Sequence, residues 1–309
     1  MTPPAARLTF AVPYHSGPGL LESAVRSVFA QSEPSWRLII SDDGPDGSGE
    51  PVAATFPDPR LHYVRAPVGE GMAANWNRCL GLAETELVTL LHADDELAPD
   101  YAAVLVAAAE RFPEAALLFC GAEVIGPGGR PVFSFPDYVK RFLVPSRKRP
   151  VVLEGDAGLA AVLRGNFIMC PTVCYRRAAL GGLRFDGRWQ FVLDLDLFAR
   201  VLLGGGRIVG VPDVAYRYRR HPGNATAAYT QSLLRFREEA ELYGELAAVA
   251  RSRRWFASAR VAERKTMIRL HVGYRIARDL LSGRFSSGWA KCRFAWSLFG
   301  TERRPSPSP

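Results

Sequence analysis

Leu87-Val88-Thr89-Leu90-Leu91-His92-Ala93-Asp94-Asp95-Glu96-Leu97 is the stretch on which the fold turns. Its first five residues are apolar or β-branched and read as a buried strand. The strand runs into two adjacent carboxylates, Asp94 and Asp95, and Ala98-Pro99 then opens a helix. Neighbouring carboxylates repel each other and must stay hydrated or meet positive charge. On a surface loop such a pair is ordinarily just solvated. Behind a buried strand it points to a hard divalent cation held against phosphates.

The same grammar of strand, acidic or Pro-Gly turn, and helix extends to both sides. Strands are predicted over Leu8 to Val12, Arg37 to Ile40, Leu61 to Val64 and Ala115 to Cys120, and helices over Leu20 to Ala30, Gly71 to Ala83 and Pro99 to Arg111. This alternation predicts an α/β fold with a mostly parallel sheet flanked by helices. Such sheets bind ligands beyond the carboxyl ends of their strands. Residues 121–165 are less regular: Gly126-Pro127-Gly128-Gly129 marks a turn, Ser146 to Pro150 a basic loop, and Asp156 to Leu163 a short helix capped by Asp156. An amphipathic helix follows over Asp194 to Leu203, then short strands over Arg207 to Val211 and Val214 to Tyr218. From about Thr230 the chain is helical, basic and rich in Ala and aromatics, and it ends in a disordered tail over 301–309.

The 309 residues are 48% hydrophobic and 23% charged, as in globular proteins. No window of about eighteen uncharged apolar residues occurs, so no transmembrane helix is expected. Residues 1–7 lack the apolar core of a signal peptide. Five cysteines without paired spacing read as reduced thiols in a cytoplasmic protein. The net charge of +8 is uneven: residues 1–216 hold 20 Lys/Arg against 24 Asp/Glu (−4), and residues 217–309 hold 19 against 7 (+12). The basic tail points to an anionic surface. No nucleic-acid motif accompanies it, so nucleic acid is not an expected partner.

Four clusters fall where this fold would bring them to one sheet edge. Val12-Pro13-Tyr14-His15-Ser16-Gly17 follows the first strand, and by itself it is an ordinary turn. Ser41-Asp42-Asp43-Gly44-Pro45-Asp46 follows the second; Asx-rich turns are common, but this many carboxylates suit recognition of a base N–H or a ribose hydroxyl. Asp94-Asp95 is the third. Leu193-Asp194-Leu195-Asp196 opens a helix, where acids offset the helix dipole and one facing the cleft can act as a general base.

In this order the clusters resemble family-2 glycosyltransferases of the GT-A fold, from about Leu8 to about Thr226. Pro13-Tyr14-His15 resembles the Pro-x-Tyr-Asn turn, Ser27-Val28-Phe29-Ala30-Gln31 the Ser-Val-x-x-Gln helix end, and Asp42-Asp43-Gly44 the nucleotide-binding turn. Gly71 to Arg78 resembles the helix before the metal motif, His92-Ala93-Asp94-Asp95 the Asp-x-Asp region, Leu193-Asp194 the acidic catalytic motif, and Tyr218-Arg219-Arg220-His221 the Tyr-Arg-x-His loop. The resemblance implies an inverting, metal-dependent transferase that moves a sugar from a nucleotide-sugar, a UDP-sugar, to a glycan or lipid-linked acceptor in surface polysaccharide or glycoconjugate synthesis. It implies that Asp43 meets the base, with Pro13 and His15 lining that pocket. Asp94 would contact ribose or metal-linked groups, Asp95 would bind Mn²⁺ or Mg²⁺, Asp194 would take the acceptor proton, and His221 would close over the diphosphate or join the metal shell. It also implies a GT-A domain over 1–228, with a nucleotide-sugar half (1–120) and an acceptor half (121–228), and a basic helical extension over 229–300.

Three positions depart from the family pattern. His92 stands where many members carry the first Asp of Asp-x-Asp, which leaves the load on Asp94 and Asp95. Pro45 replaces a common Ser. Leu193 replaces the usual Glu beside the catalytic Asp. Asp196 is the alternative base, but on a helix it points about 200° away from Asp194. The departures also admit a catalytically inactive, nucleotide-binding scaffold. A dinucleotide oxidoreductase is excluded, since no Gly-x-Gly-x-x-Gly follows the first strand.

In the tail, Arg284, Lys291 and Arg293 lie among Trp289, Phe294, Trp296 and Phe299. Basic residues with aromatics at helical spacing suit a peripheral contact with a membrane face through 282–300. The competing expectation is that these helices pack on the catalytic domain or on a second copy of the chain, as a homodimer.

Overall fold

The computed structural model describes residues 6–66, 69–134, 143–146, 148–221, 223 and 225–299. The expectations for the first five residues, Arg147, Pro222, Asn224 and the tail lie outside them.

Strands β1 (Leu8–Tyr14), β2 (Trp36–Asp42), β3 (Leu61–Arg65) and β4 (Leu87–Leu90) pair in parallel in the spatial order β3-β2-β1-β4. Helices cover both faces here, which is why β1 reads Leu-Thr-Phe-Ala-Val instead of alternating with polar residues. Helix α1 (Pro18–Phe29) buries Leu21, Ala24, Val25 and Val28, the stripe expected of an amphipathic helix. Each such Leu or Val contributes about 1.5–3 kcal/mol. Helices α2 (Gly49–Ala54), α3 (Met72–Leu82) and α4 (Tyr101–Arg111) complete this half. The short α2 was not legible from the sequence, because so few residues carry no period.

The second half adds β5 (Glu96–Leu97), β6 (Ala115–Ile125), β7 (Val151–Leu153), β8 (Val173–Arg176) and β9 (Arg207–Arg219). Strand β8 runs antiparallel between β4 and β6, β6 and β9 are parallel, and β5 and β7 lie antiparallel on β9. The described strands form one sheet in the order β3-β2-β1-β4-β8-β6-β9-β5, so the expected α/β class holds. Strand β9 is continuous where the sequence predicts two strands. Its register with β6 jumps between Gly210 and Val214, and the irregularity accommodates Pro212, which has no N–H to donate.

The remaining helices are α5 (Gly155–Leu163), α6 (Arg177–Leu180), α7 (Leu193–Leu203), α8 (Ala225–Gln231), α9 (Leu234–Ser252), α10 (Phe256–Arg264), α11 (Thr266–Leu281) and α12 (Phe285–Phe299). Asp156 does not cap its own helix. Its carboxylate accepts from the backbone N–H groups of Ala257 (2.9 Å) and Ser258 (2.7 Å), and so caps α10 from across the fold. The C-terminal helices share one apolar cluster with the body: Phe236, Leu242, Leu246, Ile268, Val272 and Phe294 pack with Leu159, Phe198 and Leu202. The expected boundary near residue 228 therefore crosses a continuous core. The five cysteines are free, and no helix among the described residues is long and apolar enough to cross a membrane.

Candidate functional site

The first part of the site forms where β1 and β2 end side by side. Asp42 and Asp43 are neighbours with different fates. Asp42 is fully buried, and its oxygens accept from Gly44 N (2.8 Å), Arg65 Nη1 (2.7 Å), the Tyr63 hydroxyl (2.7 Å) and Gly49 N (3.3 Å). It ties the turn to β3 and α2. The Asp43 carboxylate instead meets exposed His15, whose Nδ1 lies 3.2 Å from Oδ1. Gly44 makes this approach possible, since a Cβ there would sit 2.1 Å from the His15 carbonyl oxygen. Pro13 lies in register with Ser41 at the same edge. From α3, the Asn75 amide donates to the Ser41 carbonyl at 3.0 Å and joins the two strand ends.

The acidic turn after β4 divides in the same way. Asp95 is wholly buried; one oxygen accepts from Arg219 N (2.7 Å) and the other from the Tyr216 hydroxyl (3.0 Å), both on β9. Burial and the neighbouring Asp94 charge push the Asp95 carboxyl well up, while those two donors and the Arg219 charge pull it back. The Arg219 guanidinium is buried too. It pairs with Glu96 and donates to the carbonyls of Asp94 (2.8 Å), Gly126 (3.1 Å) and Pro127 (2.9 Å). Asp95 and Arg219 thus lock the turn onto the end of β9. Asp94 is left partly exposed, with Oδ2 2.9 Å from His221 Nε2.

His92 stacks on Trp76 at 5.4 Å, and its buried Nε2 has no hydrogen-bond partner among the described residues. Burial lowers the imidazole pKa against the pull of Asp94, so the ring is held neutral, the form that ligates metals. Ligand atoms of His92, Asp94 and Asp95 lie within 4.8 Å of one another. His92 Nδ1 lies 4.0 Å from Asp95 Oδ2, and an imidazole nitrogen beside two carboxylates is a donor set that fits a divalent cation. The position of His92, read in the sequence as a lost ligand, therefore still offers one.

The third part is the head of α7. Asp194 lies in its first turn, with Oδ2 accepting from the Asn166 amide at 3.3 Å and Oδ1 from Leu195 N at 2.8 Å. Asp196 is buried and paired with Arg200 at 2.8 Å through Nε, which commits it to the helix itself. Cys170 links this region to the acidic turn: burial, then the charges of Asp194 and Asp95, raise its thiol pKa well up. Leu193 is buried in the core.

Glu238, on α9, was not singled out by the sequence reading. Its buried carboxylate accepts from the backbone N–H groups of Gln190 (3.0 Å), Phe191 (2.7 Å) and Val192 (3.2 Å), the loop that delivers Asp194. Arg188, in the same loop, pairs with Glu245 at 2.6 Å. Helix α9 thus holds the approach to α7. Glu238→Leu should destabilise the protein by about 2–4 kcal/mol, because it strands buried donors that each cost about 1–3 kcal/mol. Thermal unfolding checks this, and an unchanged melting temperature would show that the loop has other anchors. Asn166 and Arg219 were also missed or read only as motif letters; single polar residues give no periodic signal.

Residues 9–154 match the family model "Glycosyl transferase family 2". A succinoglycan biosynthesis protein of Rhizobium meliloti, ExoO, is 24% identical over 72% of this chain, and the chain spans 65% of that protein's length. The structure of residues 1–349 of Staphylococcus aureus TarS in complex with UDP-GlcNAc superposes with a TM-score of 0.59 at 18% identity, covering 78% of this chain and 66% of that one. A mannosyltransferase of Pyrobaculum calidifontis, solved with GDP-Man and Mn²⁺, superposes with a TM-score of 0.61 at 18% identity, covering 96% of this chain and 81% of that one. The sheet order, the strand-end clusters and the matched residues agree: residues 9–154 carry the match to glycosyl transferase family 2, and the chain has the GT-A fold.

Proposed function

We propose that this chain is an inverting, divalent-metal-dependent glycosyltransferase. It moves a sugar from a nucleotide-sugar, a UDP-sugar, to a hydroxyl of a glycan or lipid-linked acceptor in surface polysaccharide or glycoconjugate synthesis. The observation that carries this reading is a set of three carboxylates in three settings at the site: Asp43 against His15, Asp94 against His221, and Asp194 at the head of α7. A transferase needs a donor pocket, a countercharge for the diphosphate and a base, and each carboxylate suits one of these tasks.

Asp43 accepts hydrogen bonds from the base, with Pro13 and His15 as pocket walls. Asp94, with His92 and the buried Asp95 behind it, would hold Mn²⁺ or Mg²⁺, and His221 orients Asp94. A cation held there would supply countercharge for the departing diphosphate. Asp194 takes the proton of the acceptor hydroxyl as that oxygen bonds to the anomeric carbon. The bond from that carbon to the diphosphate oxygen breaks on the opposite face, so the configuration inverts, and the proton rests on Asp194. The TarS complex with UDP-GlcNAc and the mannosyltransferase complex with GDP-Man and Mn²⁺ support this reading for the shared fold.

Titration calorimetry tests it. The chain should bind UDP in the presence of Mn²⁺ and lose that binding in EDTA; no binding of UDP or GDP with Mn²⁺ would overturn the reading. Release of free sugar from a nucleotide-sugar would dismiss an inactive scaffold, and a product with retained anomeric configuration would refute inversion.

A further inference from the structure

We propose that the hairpin of α11 and α12 is a docking surface for an anionic phospholipid bilayer, onto which this protein settles without crossing it. Each helix uses one face to pack and leaves an apolar stripe on the other. On α12 the inner face carries Gly288, which packs closely against Leu280, Lys291, which pairs with the buried Asp279, and Phe294, which lies under the Arg237 guanidinium. Lys291, read in the sequence as part of the basic surface, is therefore spent inside.

The outer face of α12 carries Phe285, Trp289 and Trp296, with Trp289 68% and Trp296 80% exposed. Helix α11 repeats the same spacing with Leu270, Tyr274 and Leu281, the last 89% exposed at the hairpin tip. Residues four and seven positions apart share a helix face, so each helix presents a stripe and not scattered side chains. Contiguous exposed apolar surface of this kind marks an interaction site.

Charge selects the occupant. Residues 266–299 hold six Lys/Arg (Arg269, Arg275, Arg278, Arg284, Lys291, Arg293) and one acid, Asp279, which is buried and paired. The Nε atoms of Arg275 and Arg278 are buried without a hydrogen-bond partner among the described residues. Burial and then the Arg278 charge disfavour the charged form of Arg275, with Asp279 and Tyr274 acting the other way and Arg284 adding a weaker repulsion. Aromatics and leucines flanked by arginines, with no exposed acid, match the apolar–anionic layering of a lipid headgroup region. A second copy docked through this same face would bring the same positive charge to the contact and be repelled.

Vesicle co-sedimentation and tryptophan fluorescence test the proposal on the full chain. The protein should sediment with phosphatidylglycerol–phosphatidylcholine vesicles, with a blue-shifted emission, and remain free with phosphatidylcholine alone or at high salt. Trp289→Ser/Trp296→Ser should lower the partition coefficient at least about tenfold with an unchanged melting temperature. Arg293→Glu, on the exposed side of α12, should also lower that coefficient by charge alone. Failure of the wild-type protein to sediment with anionic vesicles, or equal binding by both variants, would overturn the proposal. So would a wild-type dimer in analytical ultracentrifugation that the Trp variant converts to monomer, since the face would then be a self-contact.

Discussion

Asp194→Asn should lower kcat by about 10³-fold and leave nucleotide-sugar affinity within about twofold. The amide is close in shape to the carboxylate; its oxygen can keep the Leu195 N–H while its N–H₂ faces Asn166, whose own amide must turn to present an oxygen, but it cannot take a proton from an acceptor hydroxyl. The loss corresponds to about 4 kcal/mol of transition-state stabilisation. Asp196 offers no rescue, because Arg200 holds it buried on another face of the helix. Steady-state kinetics on the purified variant, with nucleotide affinity measured separately by calorimetry, check both halves. Undiminished kcat would remove Asp194 from the role of base, and an equal collapse of nucleotide affinity would show that it serves the donor instead.

Asp94→Ala and Asp95→Asn should fail in different ways, although the residues are adjacent. Asp94 is partly exposed beside His221, and its removal should abolish Mn²⁺-dependent UDP binding and cost several kcal/mol of transition-state stabilisation, with little change in melting temperature. Asp95 is buried with both oxygens engaged by β9. Its amide would place an N–H₂ against the Arg219 N–H or the Tyr216 hydroxyl, which costs about 1–3 kcal/mol of stability. Thermal melts beside calorimetry separate the two. If Asp95→Asn kept its melting temperature and lost only the metal, the assignment would reverse to the one the family resemblance implies, with Asp95 as the chief ligand.

The parallel half of the fold was open to reading because its signals are local. Runs such as Leu87 to Leu91 are apolar over a strand's length, and Leu21, Val25 and Val28 recur at the helical period. The strand-end acids were visible for the same reason: an acidic pair directly behind an apolar run is a contradiction within a few residues. What escaped was non-local or aperiodic. Strand β9 hides Pro212 in a bulge that only its pairing with β6 makes sense of. Asp156 has the look of a cap for the helix it sits in, yet its partners are about a hundred positions away on α10. The antiparallel β8 between β4 and β6 has no signature of its own, since strand direction depends on the path of the connection.

The amino-acid sequence alone determined which residue types stand at the strand ends, and therefore that acids gather at one edge of this α/β sheet. Tertiary structure decided which acid of each pair stays at the site and which is consumed by the fold. Asp42, Asp95 and Asp196 are spent on Arg65, Arg219 and Arg200 or on backbone donors, while Asp43, Asp94 and Asp194 are left to the site. Nothing in the order Asp-Asp distinguishes them. The difference is one of partners brought from elsewhere in the chain, since Asp43 is itself buried and faces the exposed His15. A carboxylate taken out of water must satisfy its lone pairs within the protein, and which acid is tied down in that way depends on which arginines and N–H groups the fold brings to it.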